Sequence, residues 1–224
     1  MDKILKDVTK IKNGNKTELS KKLLLSILSE EIIQEQTPKK NKECNEVALH
    51  IMFYRPADDD FMINRAVAIL SREKVFTDDG LNTYTHFAHV ELSFPLSVTL
   101  EQFKDNQTMA FSITQTQNVF FRLKDWRVQY HKVSIFVSSE KYIKLYRICQ
   151  EITSQNIHFD RYGMYFASVA PLYIIKTRTR EEHGTFCSKI IIEVIQEAGI
   201  LDDIFGNIHA CQCTPSFIFK ILQK

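Results

Sequence analysis

Four segments of β type crowd the middle of the chain: Phe87 to Phe94, Met109 to Thr116, Val119 to Leu123 and Lys132 to Val137. A further strand pattern, Val47 to Tyr54, precedes them and is terminated by Arg55-Pro56. Helical patterns lie outside the block. Met62, Ile63, Ala66, Val67, Ile69 and Leu70 follow three aspartates, Asp58 to Asp60, which suit the positive end of a helix. Tyr142, Leu145, Tyr146, Cys149 and Ile152 mark a helix from about Glu140 to Ser154, and another runs from Thr185 to Ala198 before Gly199. A last short helix is predicted over Ser216 to Leu222, a turn at Asp78-Asp79-Gly80, and irregular chain over Ile157 to Val169. Mixed elements with the strands grouped centrally predict an α+β fold.

Charge divides the 224 residues at about position 45. Residues 1–45 hold ten Lys against seven acids, and 46–224 hold 19 basic against 20 acidic groups, so the formal net charge of +2 hides a basic leader. Within the leader, Leu19, Leu23, Leu24, Ile27, Leu28 and Ile32 form one helical stripe that Pro38 closes. The division expected is a helical, lysine-bearing extension over 1–45 and a domain over 46–224. The extension helix either docks on the domain or binds a protein partner or membrane surface. Five cysteines, an odd number, and an N-terminus without an apolar signal-type core predict a reducing compartment. No run approaches the ~20 apolar residues of a membrane span.

Gly184-Thr185-Phe186-Cys187-Ser188 opens the strongest helical pattern. With Thr185 as the cap, Cys187 falls in the first turn, where unpaired N–H groups and the dipole favour a thiolate and can hold an oxyanion. Cys187 also shares a face with Ile191, Val194 and Ala198, the pattern of a small buried hydrophobe. A thiol nucleophile needs a base. His89 lies in a strand whose alternation sets it with Phe87, Glu91 and Ser93, opposite Val90, Leu92 and Phe94. The plain alternative is a solvated His–Glu face. His86 points to the other face, and His183 sits in a loop that would hold a base poorly.

Taken in order, His89-Val90-Glu91-Leu92, Phe159-Asp160-Arg161-Tyr162-Gly163, Gly184 to Ser188 and Cys211-Gln212-Cys213-Thr214-Pro215-Ser216 resemble the circularly permuted NlpC-type branch of the papain-like superfamily, which includes lecithin:retinol acyltransferase-like proteins. The resemblance covers roughly residues 47–219. It implies an antiparallel central sheet packed on the helix that carries the Cys, with Cys187 as nucleophile, His89 as general base and no cofactor. Glu91 fits the orienting third position of some members; in others a residue of the next strand serves, where Ser112 and Thr114 stand here. Because i and i+2 side chains lie about 6–7 Å apart along a strand, Glu91 is expected to assist through water or to act on substrate. Asp160, Tyr162 and Ser112 are expected at the cleft. The activity implied is thiol-dependent hydrolysis or acyl transfer on a peptide, isopeptide or lipid-ester bond. The pairing of His-Val-Glu-Leu with Cys-Thr-Pro-Ser resembles versions carried by large DNA viruses, which implies a virion or an infected cell as location.

Three other readings compete. His209, Cys211 and Cys213 with Cys187 make a zinc set, although Cys-x-Cys gives a cramped bite. The leader lysines with Arg178 and Arg180 suit phosphate contact, but no dense basic stripe or nucleic-acid motif accompanies them. A catalytically inactive papain-like domain that serves as a protein-interaction module is the third.

Overall fold

The computed structural model describes residues 46–76, 82–95, 107–126, 129–166 and 183–223, all within one compact unit, Glu46–Lys224. The predicted leader helix, the Asp78–Gly80 turn and the Arg178–Arg180 loop lie outside them. The fold is α+β. Strands β1 (Glu46–Tyr54), β4 (His89–Pro95), β5 (Gln107–Thr114), β6 (Gln117–Asp125) and β7 (Tyr130–Ser138) form one antiparallel sheet in the order β6-β5-β4-β1-β7. Two short strands, β2 (Glu73–Phe76) and β3 (Asn82–Thr85), pair as a separate antiparallel ribbon that the sequence pattern did not suggest. They are too short to show a period.

Register follows the alternation. Leu92 lies opposite Ile51 and Phe111, and Tyr54 opposite His89 on one side and Tyr130 on the other. Ile51, Phe53, Val90, Leu92, Phe94, Phe111 and Phe121 are buried. Against this apolar face pack α2 (Ser139–Ser154) and α4 (Cys187–Ala198). Ser138 caps α2 by accepting the Lys141 N–H at 3.4 Å, and Glu140 occupies its first turn. The stripe Tyr142, Leu145, Tyr146, Cys149 and Ile152 is buried. Phe94 meets Phe121, Tyr142 and Tyr146 edge-on at 5.4–5.6 Å between centroids, the geometry aromatic quadrupoles favour.

Helix α1 (Met62–Leu70) forms where its pattern predicts, but Ala68 is its only buried residue. The expected irregular stretch after Ile157 contains a short helix, α3 (Arg161–Phe166), and the C-terminal part holds α5 (Asp202–Phe205), a 3₁₀ turn (Ala210–Gln212) and α6 (Pro215–Leu222). Thr214 caps α6 through the Phe217 N–H, with Pro215 at the first turn. Ser216 Oγ accepts the Phe87 N–H at 3.1 Å and ties α6 to the chain entering β4. No helix among the described residues is long and apolar enough to cross a membrane.

Candidate functional site: a thiol and an imidazole at the end of the sheet

Helix α4 begins at Cys187, two residues later than the pattern predicts, and its N-cap is Phe186, with no side-chain cap bond. Thr185 is drawn away from the capping position by backbone pairing. It forms an isolated parallel bridge with Phe159, its N–H donating to His158 O at 3.1 Å and its carbonyl accepting from Asp160 at 2.7 Å. Gly184 makes the approach possible: its φ is +81°, and a Cβ there would collide with the His158 carbonyl. The bridge therefore delivers Cys187 as the first helical residue. The N–H groups of that first turn have no carbonyl partner within the helix.

Cys187 lies within hydrogen-bonding reach of His89, the first residue of β4. Both line one cleft of about 570 Å³ with Tyr54, Thr114, Phe159 and Met164. Burial alone would disfavour the imidazolium. The charge of Cys187 and its hydrogen bond, with the hydrogen bond and charge of Glu91, outweigh that and raise the His89 ring to about 10. The arrangement sets a helix-start thiol beside an imidazole held in its charged form.

Glu91 touches the ring directly. Its Oε1 is 3.2 Å from His89 Nε2, so the expected water bridge is not needed: the long side chain bends back along the strand and closes the gap. Glu91 is 1% exposed, not half-solvated, because Tyr130 and Lys124 cover it. Tyr130 OH donates to Oε1 at 2.8 Å, and the Lys124 ammonium donates to the same oxygen and to Tyr130 OH at 2.8 Å. Lys124 is held over the Trp126 and Tyr130 rings, 4.8 and 4.4 Å from their centroids. Burial would raise the Glu91 carboxyl, but the His89 hydrogen bond and charge, then those of Lys124, hold it at about 2. With Nε2 turned to Glu91, Nδ1 is the ring nitrogen available to the thiol.

The other expected cleft residues sit elsewhere. Ser112 is fully buried; it donates to Val90 O at 2.8 Å and stands 3.5 Å from His89 Nε2, bracing the strand and ring. Asp160 is buried and accepts the Gly163 N–H at 2.8 Å, a cap for α3, while Tyr162 is 71% exposed. None of the three is among the lining residues, which that part of the chain supplies as Phe159 and Met164. His86 lies in the connection before β4, not in a strand, and His183 is not part of the cleft lining. Lys124 and Tyr130 escaped sequence reading because they come from β6 and β7, and only sheet order brings them to Glu91. Among the described residues no group of three His, Cys, Asp or Glu side chains is placed to hold a metal. Cys213 instead points its thiol at His209 O, 3.6 Å away.

The Glu91 network makes stability depend on acid. A carboxyl at about 2 in the fold, against an ordinary value near 4.5, contributes stability that is fully present above pH 4.5 and is lost as pH falls toward 2. Lys124→Met removes one of its charged donors and raises the folded-state value, so the acid-dependent loss, which still sets in near pH 4.5, is expected to be smaller and complete at a higher pH. At pH 7 the cost is expected to be about 1–2 kcal/mol, discounted because the ammonium is partly solvated. Urea unfolding at pH 3–7 measures both, and identical pH profiles for variant and wild type would remove Lys124 from the account. Compared with protein-family models, characterised proteins and solved structures, the chain matches none.

Proposed function

We propose that the chain is a papain-like thiol hydrolase or acyltransferase of the permuted NlpC type, with Cys187 as nucleophile, His89 as acid and base, and Glu91 as the residue that orients the ring. The observation that carries this reading is the helix-start thiol beside an imidazole that a buried carboxylate holds, both opening on one cleft. The Cys187 thiolate attacks an amide or ester carbonyl carbon, forming a carbon–sulfur bond. First-turn N–H groups of α4 stabilise the oxyanion. As the carbon–nitrogen or carbon–oxygen bond breaks, the His89 imidazolium gives its proton to the departing amine or alkoxide. Neutral His89 then takes a proton from water or a second acceptor, which attacks the thioester and frees Cys187.

The test is a panel of peptide, isopeptide and lipid-ester substrates with wild type and Cys187→Ala. Turnover of at least one class and a trapped acyl-thioester are expected in wild type, both absent from the variant. Turnover that survives Cys187→Ala, or no adduct with any acyl probe, would discard the mechanism. A second reading, a docking module without activity, is favoured by one observation. Phe61 and Met62, beside the cleft, are 81% and 85% exposed, an apolar surface of the kind a partner covers. It predicts no adduct at Cys187 under the same conditions.

A further inference from the structure

A second cavity, of about 730 Å³, opens on the other flank of α1 from the thiol cleft. Asn64 and Val67 of that helix face the cleft, whereas Arg65 and Ile69 face the second cavity. Its remaining polar lining includes Arg55 at the end of β1, His86 before β4 and His131 on β7, against one carboxylate, Asp58. Two guanidiniums and two imidazoles therefore converge on one concavity.

Several features mark these groups as unspent. Among the described residues neither Arg55 nor Arg65 is paired with a carboxylate. Arg65 Nη1 donates to the Asp58 carbonyl at 2.9 Å, which fixes the guanidinium and leaves its other N–H groups available. The Arg55 backbone N–H is tied to Gln129 O at 3.0 Å, which joins the two sides of the cavity floor. His86 Nδ1 is buried without any hydrogen-bond partner, a cost that a bound polar group would relieve. The His131 ring is wedged against Phe219 at 4.9 Å and Phe87 at 6.2 Å, so its direction is set before any ligand arrives. Pro56, Ala68 and Ile69 supply apolar wall.

We propose that this cavity is a binding site for a small organic phosphate, a phosphomonoester on an apolar or aromatic body. Guanidinium forks match phosphate oxygens with paired hydrogen bonds, and the three terminal oxygens of a phosphomonoester engage two such forks and two imidazoles more fully than the two oxygens of a carboxylate do. A cavity of this volume suits a small molecule. The site is separate from the thiol and does not depend on the activity proposed for it.

Calorimetric titration of the full chain at pH 7 and low salt, with phenyl phosphate, benzoate and benzyl alcohol as probes, tests the assignment. Saturable one-to-one binding of phenyl phosphate is expected, with benzoate weaker and benzyl alcohol not bound. Arg55→Gln and Arg65→Gln should each raise Kd at least about tenfold, and added salt should weaken binding. Cys187→Ala should bind as wild type does. Both arginines are exposed, so unchanged thermal unfolding of the variants will show that they fold. Absence of saturable phenyl phosphate binding, equal affinity for benzoate or benzyl alcohol, or undiminished binding in both arginine variants would overturn the proposal.

Discussion

Substituting Ala for His89 is expected to slow iodoacetamide labelling of Cys187 at pH 7 by about tenfold to a hundredfold, because an isolated thiol is only a few per cent ionised there. Turnover of any substrate the panel identifies should fall further, by about 10²- to 10⁴-fold, since the acid and base is lost as well. The pH dependence separates pairing from accessibility. His89 is raised from 6.5 to about 10 in the fold. Its contribution to stability is therefore complete below pH 6.5 and disappears as pH rises through about 10. The stability gap between wild type and His89→Ala should shrink over that interval. The other described cysteines serve as internal controls. Burial pushes the Cys149 thiol well above its ordinary value and the Cys213 thiol to about 12, with neighbouring Glu197 and Cys211 adding to each. Both should label slowly in the folded protein. Mass spectrometry of the labelled peptides reads all of this. Equal Cys187 labelling in wild type and His89→Ala from pH 6 to 10 would dissolve the pair.

Phe94→Ala should cost about 3–5 kcal/mol, the range for deleting a fully buried aromatic ring, and lower Tm by about 6–20 °C for a domain of this size. The ring is 1% exposed on β4 and bridges the sheet to α2 through Phe121, Tyr142 and Tyr146. Removing it leaves a void between elements that the backbone holds apart, so collapse can recover only part of the loss. The position is also a control for the site. Phe94 lies five residues beyond His89 on the opposite face of β4, so the variant tests the fold without touching the dyad. A loss under 1 kcal/mol would mean that the aromatic cluster is not what joins sheet and helix.

The elements with strong periods were legible in the chain. Alternation from Val90 to Phe94 and the 3.6-residue stripe from Tyr142 to Ile152 each reflect one apolar face packed in the core, and an apolar face on one side of an element is what writes a period into sequence. The short ribbon of β2 and β3 and helix α3 span four to six residues each, too few to carry such a signal. The start of α4 was misplaced because Thr185 is a good cap by residue type. A tertiary bridge to Phe159 claims its backbone instead, and local propensity yields to that pairing.

The candidate site divides in the same way. Residue type and order along the chain marked Cys187 at a helix start and His89 with Glu91 on one strand face, because helix and strand geometry act over a few residues. Sheet order alone decided the rest: the direct contact of Glu91 with the His89 ring, and its enclosure by Lys124 and Tyr130. The cost of burying a carboxylate demands partners, and β6 and β7 supply them from 33 and 39 positions away in the chain. No local pattern encodes a contact of that range. Chain order named the candidate groups, and the tertiary structure decided which side chains touch them.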